Sequence, residues 1–291
     1  MTTQPDIIWN EQCLGIRIGE QVCTYLKKHD AEYQRLQKKI LELTEKYPVI
    51  ETFMEMNQSI SLTEEEHKAV HRSMYPFLVE NMADEEAYIQ NLNIEVNSKE
   101  VCYFMCGENF GRILFEIFCG YKKPKTGEIF VCNKDWLDLD ENSRSLLNRR
   151  LFGIAAEEFP LIEFMTVEEN ISMPSLLDGD KSNIEELVKA FDIGHLLQKY
   201  PSDLNHREKM RCICARAFSG GRKVVVIFDL FKRMQEQSKA DLAILTYHAA
   251  KSLGIAALYI SEDLDENYGA YDLIYKYRPE KKEFSIIDYR A

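Results

Sequence analysis

The chain has 291 residues, 45% of them hydrophobic and 29% charged, enough apolar material for a real core and too much for disorder throughout. Its 36 basic and 48 acidic side chains leave a net charge of -12, so the chain as a whole has no electrostatic footprint for nucleic acid or an anionic membrane. No run approaches the roughly 18 apolar residues of a membrane span. The opening MTTQPDIIWNEQ also lacks the basic and apolar regions of a secretory signal. The expectation is a cytoplasmic protein without direct membrane insertion.

In chain order, residues 1–90 hold two glycines and 9 basic against 16 acidic side chains, an acidic excess concentrated in under a third of the length. Val22, Leu26, Tyr33, Leu36, Ile40, Leu43 and Tyr47 recur at helical spacing, which predicts a long amphipathic helix ending before Pro48. Thr63 and Glu66 form a capping box, after which Val70, Met74, Phe77, Leu78 and Met82 continue a helical stripe. Residues 1–86 are therefore expected to be an all-helical module. His67 and His71 stand four apart on one helical face, but no third zinc ligand accompanies them.

From Tyr88 onward the pattern changes to short β-rich runs at Leu92–Val96, Val101–Met105, Glu128–Cys132, Val224–Phe228, Ala256–Ile260, Leu273–Tyr277 and Phe284–Ile287. Helical stretches separate several of them. This alternation predicts an α/β layer structure over 87–291 with a largely parallel sheet, introduced by an antiparallel hairpin at Asn97-Ser98. Eight cysteines are too few for a disulfide framework in a chain this long. Only Cys212 and Cys214 are close, one residue short of a CxxC pair, and no metal site is expected.

The strand Val101–Met105 runs into Cys106-Gly107-Glu108-Asn109-Phe110-Gly111-Arg112 and then a helix over Ile113–Phe118, an arrangement that can cradle phosphate with backbone amides. GYKKPKTGEIFVCNKDW, FGIAAEEFPLIEFMTVEENI, YPSDLNHREKMRCICARAF, KVVVIFDLF and GIAALYISEDLDENYGAYDLI follow. In that order and spacing the chain over about 88–288 resembles the ATP-binding-cassette (ABC) ATPase domain. The resemblance implies a P-loop NTPase core with an antiparallel β subdomain and a helical subdomain near 160–215.

The resemblance also locates the family's functional stations, and most of them carry a different residue here. Cassette ATPases use a lysine and a hydroxyl at the end of the phosphate loop, for the β/γ-phosphates and for magnesium. In this chain Gly111 and Arg112 fall there, and shifting the register by one restores neither pair. Glu108 adds a carboxylate within the loop. The glutamine that meets metal and water matches Glu157. The signature peptide matches Leu204-Asn205-His206-Arg207-Glu208, without its glycines. Asp229 is retained after Val224–Phe228, as a magnesium ligand or as a structural cap or partner of Arg112, but the adjoining general base is replaced by Leu230. The switch histidine is replaced by Glu262, and the family's first strand and adenine-stacking aromatic are not visible before Leu92. Gly107 and Gly111 then read as a structural turn.

These substitutions predict a non-catalytic cassette with no cofactor, acting through protein contact. The alternative is a divergent subunit that still binds ATP and magnesium or completes a site with an active partner. Phe159, Leu161, Ile162, Phe164 and Met165 lie in the segment that docks permeases in the family. The expected partners are a second copy, an intact cassette ATPase or a membrane permease, which would place the protein peripherally at a membrane. No nucleic-acid partner is expected. Arg207, Lys209, Arg211 and Arg216 form a basic helix start that reads as a solvated face.

Overall fold

A computed structural model describes residues 6–9, 13–18, 21–27, 72, 75, 77–84 and 89–288, apart from 133, 137, 179–182, 231–233 and 262–268. The chain divides into two units, residues 1–70 and 71–291.

In the first unit three strands, β1 (Asp6–Trp9), β2 (Cys13–Ile18) and β3 (Gln21–Lys27), form an antiparallel sheet in the order β1-β2-β3. This corrects the expectation of an all-helical segment over 1–86. Val22 and Leu26 are four residues apart, a spacing that suits a strand's period of two as well as a helical turn, and β-branched Val22 and Thr24 favour the strand. The remainder of the predicted helix, from Tyr33 to Tyr47, and the residues His67 and His71 lie outside the described residues.

The second unit opens with β4 (Phe77–Asp84), also expected as helix. It is the centre of a four-stranded antiparallel sheet in the order β5-β4-β7-β8, with β5 (Ile89–Val96), β7 (Thr126–Val131) and β8 (Lys134–Asp135). A strand the sequence appeared to lack is thus present. What hid it is a bulge: the register of β4 slips between Val79 and Met82, and Asn81 adopts a φ of 51°, braced by its amide donating to Asn93 Oδ1 at 2.9 Å. The slip brings Phe77, Val79 and Met82 onto the buried side together, so the apolar spacing no longer alternates. Gly127, at φ 98°, allows the bulge to pack close, since a Cβ there would stand 2.5 Å from Met82 Cα.

The main sheet has six strands in the order β13-β12-β6-β11-β10-β9: β6 (Val101–Met105), β9 (Phe152–Ala156), β10 (Val224–Phe228), β11 (Ala256–Ser261), β12 (Leu273–Arg278) and β13 (Glu283–Asp288). All neighbours are parallel except β12 and β13. The turn after Val96 links the two sheets and is not the hairpin expected at Asn97-Ser98, because β5 and β6 belong to different sheets. Glu100 closes that turn by accepting from the Asn97 amide at 2.7 Å.

The continuous apolar runs of the parallel strands follow from burial on both faces. Cys102, Phe104, Val224, Val226, Phe228, Leu258 and Ile260 point to one core, shared with the antiparallel sheet and helix α1 (Glu108–Phe118). Val101, Tyr103, Val225, Ile227, Ala257 and Tyr259 point to the other. That second core is covered by α3 (Val167–Asp178), α4 (Ile184–Phe191), α5 (His206–Ala217) and α6 (Glu236–Leu253). Between β8 and β9 lies the surface helix α2 (Glu141–Leu151). Cys102, Cys106, Cys119, Cys212 and Cys214 are buried and in no disulfide, and burial pushes the Cys212 thiol up to about 12.

Strand β9 crosses the end of α5 so closely that a Cβ on Gly153 would lie 1.7 Å from the Ala217 carbonyl oxygen. Backbone on both sides leaves no flexible neighbour to yield. Gly153→Ala is expected to cost about 2 kcal/mol or more, read as a lower denaturant midpoint with an unchanged m-value. An unchanged midpoint would mean that the two elements are not held at this distance.

Candidate functional site

The pairing of the parallel strands decides which stations meet. Phe228 is level with Ala156 and Ile260, and Ser261 with Met105. The residues that follow these strand ends, Cys106-Gly107, Glu157 and Asp229, therefore share the carboxyl edge of the sheet, where open α/β sheets bind their ligands. Two bonds tie this edge together: Cys106 N donates to Ser261 O at 3.4 Å and Asp229 N to Ile260 O at 3.2 Å. Glu262 lies outside the described residues.

Only Cys106 and Gly107 separate β6 from α1, so the helix begins at Glu108 and not near Ile113 as expected. Gly111 is inside it, its amide donating to Gly107 O at 2.7 Å. The glycine eases the packing: a Cβ would crowd Ile260 Cγ2 at 3.3 Å and touch Cys106 Sγ at 3.5 Å and the Phe228 ring at 3.6 Å. Phe110, one residue earlier, stacks on Tyr277 with ring centroids 4.2 Å apart. Gly107 is extended and exposed, and no side chain caps the helix.

Arg112 does not reach Asp229 as a structural partner. Its Nε donates to Glu116 Oε1 at 2.9 Å and its Nη1 to Glu158 Oε2 at 2.5 Å. The hydrogen bond to Glu158, then that to Glu116, raises the guanidinium's pKa further. Glu157 is half-buried, and its Oε1 has no hydrogen-bond partner. Asp229 sits at φ 48° in the left-handed region that an aspartate tolerates better than most residues. Leu230 is fully buried in the helix-covered core.

The residues read as the signature peptide form a capped helix start. Asn205 Oδ1 accepts from the Glu208 amide at 3.0 Å, and Glu208 Oε2 accepts from the Asn205 amide at 2.9 Å. The Glu208 carboxylate thus meets the positive end of α5 itself. Arg207 pairs with Asp241 at 2.5 Å, and His206 is exposed.

The docking segment is fixed from beneath. Asn170, fully buried, accepts from Ile162 N at 2.7 Å and donates to the carbonyls of Ile162, Met165 and Thr166. Arg216 donates to Pro160 O at 2.7 Å and also to Phe159 O. Of the five candidate residues, Leu161 is buried and belongs to the core, Ile162 and Met165 are half-buried, and Phe159 and Phe164 are 39% and 79% exposed. Asn170 was missed as a positioning residue and Arg216 was read as part of a solvated face; a polar side chain between Val167 and Ile171, in the first turn of α3, was the available signal for Asn170.

For the group that a cassette fold implies, magnesium-ATP, the fit is partial. The uncapped amide end of α1 suits a phosphate, and Asp229 and the unpartnered Glu157 Oε1 are acceptors for a cation on the same edge. The lysine and hydroxyl of the phosphate loop have no counterpart at Gly111 and Arg112.

A family of unknown function (DUF6664) matches residues 16–93, a stretch running from β2 into β5. Among curated proteins, the chain is 27% identical over 164 residues to the uncharacterized ABC transporter ATP-binding protein MJ1508 of Methanocaldococcus jannaschii, covering 54% of this chain and 72% of that protein. It is 26% identical over 183 residues to the methionine import ATP-binding protein MetN of Histophilus somni, covering 61% of this chain and only 53% of that one. Among solved structures, the dimeric post-hydrolysis state of the ATP-binding cassette MJ0796 bound to ADP and Pi superposes with a TM-score of 0.61 at 18% identity, over 74% of this chain and 99% of that one. The expectation of no cofactor is thereby corrected: the relatives are named ATP-binding proteins and a similar cassette holds ADP and phosphate. The fold, the order of its stations and these relatives together identify the chain as carrying an ABC transporter ATP-binding-cassette-like domain.

Proposed function

We propose that this protein is a cassette subunit that does not hydrolyse ATP efficiently and works by docking a partner protein through the Phe159–Met165 segment. The observation that carries the reading is the contrast between Leu230 and Phe164. Where a base would activate water, Leu230 is packed into the core, while Phe164 is held outward at 79% exposure by a loop that Asn170 and Arg216 make rigid. A general base alone contributes about 10²–10⁴ in rate, so its replacement by a buried leucine removes much of the catalytic power of this site. An exposed phenylalanine on a rigid loop favours covering by a partner. ATP, which the relatives' names attach to this fold, would meet the α1 amides, its magnesium would meet Glu157 and Asp229, and the pair would serve as a structural or regulatory ligand. The partner class that fits is a second cassette or a membrane permease. No helix among the described residues is long and apolar enough to cross a membrane.

Two outcomes test the halves of this reading. Leu230→Glu is expected to release no phosphate above a no-enzyme control, because the new carboxyl enters the core and not the strand-edge site. The folded state would hold that carboxyl protonated, with a pKa above its unfolded value. The native chain then binds more protons than the unfolded one, and stability falls as pH rises through that interval. The expected loss is about 4 kcal/mol at pH 8 and less at pH 4, read from denaturant midpoints. Clear phosphate release from this variant would place Leu230 at the nucleotide and overturn the assignment.

For the docking half, Phe164→Asp is expected to leave the melting curve within about 0.5 kcal/mol of wild type, because the ring is exposed. It should abolish co-purification of the native assembly. Assembly undiminished in this variant would remove the docking segment from the interface.

A further inference from the structure

Beside the docking segment lies an open cleft of about 470 Å³, lined by Arg112, Phe115, Glu116, Tyr121, Glu158 and Phe159. Its chemistry differs from that of an anion site. The one guanidinium is shared between two carboxylates, through Nε to Glu116 and Nη1 to Glu158, so the lining keeps one surplus negative charge. Both carboxylates are partly open to solvent, at 32% and 36% side-chain exposure, and each has a second oxygen beyond the one that meets Arg112.

The remaining walls are aromatic. Tyr121 is 57% and Phe159 39% exposed, and Phe115 closes the inner side. Burial, with Cys119 and Glu158 adding negative charge, pushes the Tyr121 phenol above its ordinary pKa. Glu163 is exposed on the same loop as Phe159, and no positive side chain interrupts the run from Glu157 to Thr166. Carboxylates beside ring faces are the setting in which a guanidinium gains both a charge-assisted hydrogen bond and a cation–π contact.

We infer that this cleft receives an arginine side chain from a basic, amphipathic segment of the partner protein, whose apolar side covers Phe159 and Phe164. The inference rests on the docking reading above and adds the partner's chemistry to it. Charge complementarity selects this occupant over an acidic one: an incoming carboxylate would face two fixed carboxylates, while the guanidinium that could receive it is already bonded to both. Arg112 then acts as an internal rival of the partner's arginine, and its removal should strengthen binding.

The probe is a labelled amphipathic helical peptide with a leucine stripe flanked by arginines, titrated with the full-length protein at low ionic strength and read by fluorescence anisotropy. Citrulline and glutamate versions of the same peptide are the controls. The arginine peptide is expected to bind and the glutamate version not. Glu158→Gln and Glu116→Gln should each weaken binding by about two- to fivefold, and Arg112→Gln should strengthen it by a similar factor, as partly exposed ion pairs allow. Weakening by Arg112→Gln, equal binding of the arginine and citrulline peptides, or no binding of any peptide would overturn the inference. If native assembly requires Phe164 but is indifferent to Arg112→Gln and Glu158→Gln, the inference falls and docking stands. If the arginine peptide binds through Glu158 while assembly ignores Phe164, the docking reading falls alone.

Discussion

The close seat of α1 on the parallel sheet is the constraint from which the rest of the site follows. Gly111 has no side chain, and a Cβ there would crowd Ile260 Cγ2 at 3.3 Å, so the glycine eases the approach of the helix to the sheet. With two residues between β6 and the helix, the first turn is already helical where a phosphate loop would still be open. This placement turns Phe110 onto Tyr277 and sends Arg112 along the exposed side toward Glu116 and Glu158. One packing contact therefore sets both the shape of the anion end and the direction of the nearest cation.

Charges at the stations are largely satisfied within the domain. Glu208 caps the helix that begins at the signature position, Arg207 pairs with Asp241, and Arg112 bridges two acids. Each pair alone contributes little at a solvent-exposed position. Their collective effect is on availability: a group held by an internal partner must first break that contact before serving a ligand. Glu157 differs, with one buried oxygen unpartnered on the same strand edge as Asp229. Acceptors for a cation are thus more available on this edge than donors for a phosphate.

Sequence patterning recovered what depends on continuous burial. Strands β6 and β10 matched residue for residue, because Val-Cys-Tyr-Phe-Met and Val-Val-Val-Ile-Phe are buried on both faces and have no helical period. It failed where geometry departs from the regular period. The bulge at Asn81 gave β4 a spacing that resembles a helix, and β9, with only Phe152 and Ile154 as large apolar residues, had too little apolar bulk to stand out. Among the site residues, Gly107, Glu157 and Asp229, read from the resemblance, follow strands that end on one edge of the sheet. The resemblance did not reveal that Arg112 pairs with Glu158, a contact between residues 46 apart. Leu161 was grouped with its exposed neighbours because alternation along a loop carries no facing information.

The proposed docking segment shows how a loop can be held rigid before binding. A loop that exposes a phenylalanine loses side-chain entropy on binding only to the extent that it was free beforehand, so rigidity in the unbound chain lowers the cost of association. Asn170 provides that rigidity by using its acceptor and both donors on the backbone of residues 162–166 from inside the fold. Arg216, on α5, holds the preceding carbonyls from the other side. The anchors come from two different helices of the α3–α5 insert, so the loop's shape is coupled to the packing of that insert. The conformation of Phe159 and Phe164 therefore depends on the buried contacts of α3 and α5, which connects the partner-facing surface to the core without requiring any change at the strand-edge site.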